Sequence, residues 1–270
     1  MAATEDQLNV EDSGNPDGPP VLFLHGFMSS NLQWEPNRAG LGAELRLLLA
    51  EQPGHGRSPG PDDPAAYRAE TVLDQLDRIR IRLGIDRWWL VGQSLGGAVL
   101  MRYALRQPDR VAGLIFTNSR AVFGLAGRQA PEDELDGSAE GQRGGSGLPA
   151  EPTREVIRAL PYHPSNAKRI PPQLQARMIE TADAMPMAVF RHMRTGGPWN
   201  SNDELHLLEV PTLLINGRFE KAFQPCVEEA RAAVRDLRVV DLDGGHSVNI
   251  DQPQAFNQAV LDFIHSQPHG

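Results

Sequence analysis

A chain of 270 residues, 40% hydrophobic and 23% charged, can form one large globular domain or a domain carrying an insertion. Its net charge of −9 argues against nucleic acid or an anionic membrane surface as a partner, and its single cysteine, Cys226, excludes an intrachain disulfide and a cysteine-built metal cluster. With no apolar run near the ~20 residues of a membrane span and no leader pattern in "MAATEDQLNV", a cytoplasmic protein is the expectation.

Taken in chain order, "VLFLHG" (21–26) reads as a buried strand ending in glycine. "LRLLLAEQPGHG" (45–56) reads as a second, stopped by proline and glycine. In 70–83, Val72, Leu73, Leu76, Ile79 and Leu83 recur at helical spacing. "DRWWLVG" (86–92) is a third strand, "LGGAVLMRYALRQ" (95–107) a helix halted by Pro108, and "RVAGLIFTN" (110–118) a fourth strand. "VPTLLING" (210–217) and "LRVVDLDGG" (237–245) complete the strands, with helices at 225–235 and 253–265. The last helix has Asp251 as its candidate cap and Pro253 in its first turn. Apolar runs without alternation predict strands covered on both faces. The strand–helix rhythm predicts a doubly wound α/β domain with a mostly parallel sheet.

Residues 119–209 interrupt that rhythm. A structureless connection of that length does not suit a compact domain, so the stretch reads as an inserted lid between core segments 1–118 and 210–270. Its first part, 128–152, has the glycine and charge of a mobile segment. Its second part, about 153–207, has helix-like runs carrying Met178, Met185, Met187, Phe190, Met193 and Trp199. Those side chains pack the lid onto the core or form an adaptable apolar pocket. Met28, Met185, Phe190 and Trp199 are the candidate pocket residues. Arg191 and Arg194 are cations for a substrate carboxylate or for solvent.

The pattern G-x-S-x-G occurs twice, in "GRSPG" (56–60) and "GQSLG" (92–96). A nucleophile on a strand-to-helix turn needs the next residue's N–H for the developing oxyanion. Pro59 follows Ser58 and has no N–H, and no helix pattern begins there, so Ser58 is a turn residue. Ser94 follows the strand "RWWLV" and precedes an apolar helix, and Leu95 can donate. Ser94 is the candidate nucleophile.

A serine hydroxyl needs a base, and this architecture places acid and histidine after the serine in chain order. Of the eight histidines, that order excludes His25 and His55, and His163, His192 and His206 precede the strand expected to carry the acid. His265 and His269 lie at the end of the last helix and in the tail. His246, on the glycine-rich loop "LDGGHSVNI", is the candidate base. Glu220, in the loop "GRFEKAF", is the candidate acid that would hold the imidazole tautomer. Asp243 and Asp241, close before His246, are its rivals. The second oxyanion donor belongs to the loop "LHGFMSS" (24–30): the N–H of Phe27 beside that of Leu95, with Met28 as fallback and His25 shaping the loop.

The order "LHGF", "PGHGRS", "GQSLGG", "GRFE", "GGHSVNIDQPQAFNQAVLDFI" resembles the α/β-hydrolase superfamily, specifically its lid-bearing branch. The resemblance implies an eight-stranded sheet, with two further strands from the stretch around 7–18. Relatives usually carry aspartate where Glu220 and Glu51 stand. "LHGF", Trp34 and "SLGG" are similar to the branch of the menaquinone-pathway lyase, and the C-terminal run is similar to meta-cleavage-product hydrolases. Those hydrolases usually have a tryptophan after the histidine, where this chain has Ser247. Three functions follow as expectations: a serine esterase acting on a small, mostly apolar ester, lactone or thioester; a carbon–carbon bond hydrolase or lyase; or a ligand-binding protein without turnover. No metal motif, P-loop or dinucleotide fingerprint is present, so no cofactor is expected.

Overall fold

Val21 to Leu24, Leu47 to Ala50 and Trp88 to Val91 are apolar at consecutive positions. Burying both faces of such strands requires sheet neighbours on either side and helices above and below. The computed structural model, which describes residues 8–123, 152–192 and 199–267, has that arrangement. In chain order it runs β1 (Val10–Gly14), β2 (Pro20–Leu24), α1 (Glu35–Gly42), β3 (Arg46–Ala50), α2 (Ala69–Arg82), β4 (Trp88–Gly92), α3 (Leu95–Arg106) and β5 (Val111–Thr117). It continues with α4 (Arg154–Arg158), α5 (Pro172–Ala184), α6 (Met187–His192), β6 (Thr212–Gly217), α7 (Gln224–Ala233), β7 (Leu237–Leu242), α8 (Val248–Asp251) and α9 (Pro253–His265).

The sheet order is β1-β3-β2-β4-β5-β6-β7. β1 is antiparallel to β3, and every other pair is parallel. Leu22, Leu90 and Leu114 align across the three central strands. On one face, Val72, Leu76 and Ile79 of α2, Val99 and Tyr103 of α3, and Ala230 of α7 bury the sheet. On the other, Leu41 of α1 and Phe256, Val260 and Phe263 of α9 do so, with Trp34. Each fully buried large apolar side chain contributes about 1.5–3 kcal/mol.

Two expectations need correction. Among the described residues the sheet has seven strands, not eight, because the N-terminal stretch supplies one strand rather than two. Gly14, at φ 80°, ends β1, and a turn closed by Gly18 N–H to Asn15 O at 3.1 Å leads straight into β2. Asp251 does not cap α9; Gln252 holds that position, and Asp251 closes α8. Helix α1 was not legible as a periodic segment, because its inward face holds Asn37 as well as Leu41. Asn37 joins a buried amide network, donating to Asn249 O at 3.1 Å and Asn257 Oδ1 at 2.9 Å.

Elements α4, α5 and α6 lie in the connection between β5 and β6, which are neighbours in the sheet. The stretch expected to be mobile lies outside the described residues from 128 to 151. Among the described residues no helix is long and apolar enough to cross a membrane.

Candidate active site

β4 is buried along its length and ends at Gly92; α3 begins at Leu95. The residues between must reverse direction sharply, and Ser94 does so at φ 50°, ψ −118°. Such a backbone costs about 1–3 kcal/mol and persists only where its surroundings impose it. Here they do. Ser119 Oγ donates to Ser94 O at 2.5 Å, and Ala98 N–H to the same oxygen at 3.2 Å. Gly26 lies against the elbow so closely that a Cβ there would collide with Gln93 Oε1 and stand 3.2 Å from Ser94 Cβ. Leu95 opens α3, where its N–H has no intrahelical acceptor. Ser58, in the second copy of the pattern, is built into a turn: its Oγ donates to Glu51 O at 2.7 Å and accepts from Asn9 N–H at 2.7 Å.

β6 and β7 place the next two groups. Glu220 follows β6 and His246 follows β7, and their side chains meet with Nδ1 3.0 Å from Oε2. Burial alone would raise the Glu220 carboxyl; the charge and hydrogen bond of His246, with Asn118 and Arg120, outweigh it and hold the carboxyl below its usual range. Burial would lower His246, yet Glu220 outweighs burial and holds the imidazole above its usual value. A carboxylate is acceptor only, so Nδ1 carries the proton toward it and Nε2 is left as the acceptor. The Glu220 side chain is 19% exposed; that of His246 is 41% exposed because it faces the cavity. Of the rival acids, Asp243 pairs with Arg218 at 2.5 Å on the surface, and Asp241 accepts from Asn216 Nδ2 at 2.7 Å. His265 lies 3.3 Å from Glu44, and His269 lies outside the described residues.

Two buried histidines shape the loop after β2. His25 Nδ1 donates to Gly26 O at 2.7 Å and its Nε2 accepts from Gln52 N–H at 3.2 Å. His55 Nδ1 donates to Pro53 O at 3.0 Å and its Nε2 accepts from Met28 N–H at 3.3 Å. Burial pushes His25 down to about 4 and His55 to about 3, so both are neutral near pH 7. Their consequence for chemistry is specific: the Met28 N–H is committed to His55. Phe27, the preceding residue, faces the cavity. Glu51 works in the same region as a structural hub, accepting from Asn31 N–H at 3.1 Å, Arg57 N–H at 2.8 Å and Asn9 Nδ2 at 2.9 Å.

Ser94, Leu95, Phe27, Met28, Glu220 and His246 all line one cavity of about 650 Å³. Among the described residues the non-glycine positions with positive φ are Met28 and Ser94, and both are in its wall. Phe190 and Trp199 line it. Met185 does not; it is 2% exposed and packs behind Met28 and Phe190 with Tyr67 and Val189. Arg191 turns away to Asp62 at 2.9 Å, and Arg194 lies outside the described residues. The structure adds wall residues that sequence reasoning missed, among them Gln93, Lys168, Arg169 and Asp251. Gln93 Nε2 donates to His246 O at 3.1 Å, and Asp251 Oδ2 accepts from Gly245 N–H at 2.7 Å. Their only sequence signal was adjacency to Ser94 and to the histidine loop. Among the described residues no group of three or more His, Cys, Asp or Glu side chains is placed to hold a metal ion.

A family model described as alpha/beta hydrolase fold matches residues 19–253. The chain is 27% identical to the uncharacterized carboxylesterase nap of Bacillus subtilis (strain 168), over 97% of this chain and 84% of that protein. It is 25% identical to the carboxylesterase YbfK of the same organism, over 96% and 84%. Among solved structures, the esterase EaEST of Exiguobacterium antarcticum superposes with a TM-score of 0.73 at 21% identity, covering 96% of each chain. A sheet of this topology, a strained serine between β4 and α3, and a match across most of the length place the chain in the alpha/beta hydrolase fold family.

Proposed function

We propose that this enzyme is a carboxylic ester hydrolase working through a Ser94–His246–Glu220 triad and a covalent acyl-enzyme. The observation that carries the reading is the convergence, in one cavity, of the strained Ser94 and the His246–Glu220 pair at 3.0 Å. The carboxylesterase relatives support the substrate class.

Ser94 Oγ attacks the ester carbonyl carbon while His246 Nε2 takes its proton. Glu220 stabilises the resulting imidazolium and keeps Nδ1 protonated. The N–H groups of Leu95 and Phe27 receive the oxyanion, each donor contributing ~10²–10³ in turnover. Collapse breaks the carbon–oxygen bond to the alcohol, which leaves with the proton from Nε2. Water repeats the sequence on the acyl-enzyme, returning the acid and free Ser94. The described residues of the 119–209 segment form a lid over this site, in which Tyr162, Ile170, Met178, Phe190 and Trp199 add apolar wall beside Phe27, Met28 and Leu95. A volume of about 650 Å³ suits a small to medium ester.

A fluorophosphonate probe tests the reading. The native protein should be labelled at Ser94 and should hydrolyse short 4-nitrophenyl esters, and Ser94→Ala should lose both. Labelling elsewhere, or ester turnover surviving in Ser94→Ala, would refute the assignment. Cleavage of a vinylogous diketone without ester turnover would replace it with carbon–carbon hydrolysis.

A further inference from the structure

The charged groups of the cavity wall are unevenly committed. Its two carboxylates are both engaged, Glu220 with His246 Nδ1 at 3.0 Å and Asp251 with Gly245 N–H at 2.7 Å. Its cations are Arg120, Lys168 and Arg169. Arg169 comes from the loop before α5 and reaches the histidine loop. Its Cζ lies 4.9 Å from the centroid of the Phe219 ring. Its Nη1 lies 3.2 Å from where a Cβ would stand on Gly245, beside His246. A side chain at 245 would press on the guanidinium, and glycine leaves it that room. Among the described residues neither Arg169 nor Lys168 makes a hydrogen bond or ion pair. Arg38, Arg102, Arg158, Arg177 and Arg218 each sit on a carboxylate. In a chain of net charge −9, two adjacent cations thus face the cavity without an acceptor among the described residues.

We infer that the substrate carries a carboxylate remote from the scissile ester, held by Arg169 with Lys168. The guanidinium fork matches two carboxylate oxygens. The face of Phe219 holds the fork in place without using a donor. Ile170 and Met178 supply apolar wall for a short methylene chain. Half-esters of small dicarboxylic acids fit this description. The inference rests on the ester-hydrolase reading for the position of the reacting bond, and the anionic subsite is testable apart from it.

Two assays separate them. In the first, 4-nitrophenyl butyrate is compared with the mono-4-nitrophenyl ester of glutaric acid. Wild type should favour the charged ester in kcat/KM by ~10-fold, the scale of one charge-assisted contact. That ratio should fall toward unity in Arg169→Gln, be partly kept in Arg169→Lys, and shrink as salt rises. In the second, glutarate binding to Ser94→Ala is measured by calorimetry, and adding Arg169→Gln or Lys168→Gln should weaken it. Ester turnover with no charged-ester preference, or a preference untouched by Arg169→Gln, overturns the inference and leaves the esterase reading standing. Glutarate binding that depends on Arg169, with neither ester turned over, keeps the anionic subsite and removes the esterase reading. Absence of glutarate binding to Ser94→Ala overturns the inference whatever the turnover.

Discussion

At Glu220, burial acts against its polar partners, His246 first among them, and the partners win. Burial favours the neutral acid, but His246 at 3.0 Å favours the carboxylate, and the same contact raises the imidazole. The signs give opposite stability windows. The raised His246 contributes stability fully present below its unfolded value of about 6.5 and lost as pH rises through its higher folded value. The lowered Glu220 contributes stability present above its unfolded value of about 4.3 and lost as pH falls through its lower folded value. Activity in the proposed mechanism needs the neutral imidazole. The pH profile of kcat/KM should therefore rise through an apparent pKa above the ordinary histidine value. Glu220→Gln should move that midpoint down and cost about 10⁴ in kcat, whereas Asp243→Asn should leave both near wild type. A profile unmoved by Glu220→Gln and displaced by Asp243→Asn would transfer the acid role. Spacing alone left the acid open, because Glu220 follows the strand expected to carry it while Asp243 and Asp241 closely precede the histidine. What differs is direction, since Asp243 turns out to Arg218, and direction is a property of the folded loop.

At the scale of elements, the strands and the elbow were legible and the ties between loops were not. β4 and α3 are unbroken apolar patterns on either side of Gln93 and Ser94, so their junction follows from periodicity. The contact that joins this junction to the histidine loop spans 153 positions of sequence, and no periodicity encodes it. Gln93 N–H donates to Leu24 O at 3.1 Å, its Oε1 faces Gly26, and its Nε2 donates to His246 O at 3.1 Å. One side chain thereby links the loops after β2, β4 and β7, which carry Phe27, Ser94 and His246. In the proposed mechanism Gln93 is a positioning residue. Gln93→Ala should lower kcat by ~10–100-fold with little change in KM, as expected when reacting groups lose alignment by a fraction of an ångström. Gln93→His, which can still donate, should recover part of the loss, and Gln93→Glu, which cannot donate as a carboxylate, should not. Equal losses in all three variants, or a loss confined to KM, would mean that Gln93 only packs.

Across the whole molecule, apolar burial is divided unequally. The two sheet faces form large continuous clusters that include the central strands β2, β4 and β5. Between β5 and β6, Val122, Phe123, Trp199, Leu205 and Leu208 still join one of these large clusters, but the stretch carrying α4 to α6 is held by smaller ones: Ile157, Ala182, Met185, Val189 and Phe190 against Met28 and Tyr67, and Ile170, Leu174 and Met178 against Ile250. Its remaining ties include ion pairs such as Arg177 with Glu35, in which both side chains are substantially exposed. Exposed pairs of this kind contribute about 0–1 kcal/mol. The break in the strand–helix rhythm marks where α4 to α6 fall, but the smaller clusters that hold them were not legible, because methionines predict burial without saying how large a cluster they join. Elements that bury less apolar surface open at lower free energy than the core that carries global stability. Amide hydrogen exchange under native conditions should therefore show α5 and α6 exchanging faster than β2, β4 and β5, through an opening that responds little to denaturant. A glutarate-type ligand bridging Arg169 to the cavity should slow α5, which follows that loop directly, and leave the central strands unchanged. If α5 and α6 exchanged only with global unfolding, the segment would be an integral part of the core, and entry to Ser94 would need no movement of it.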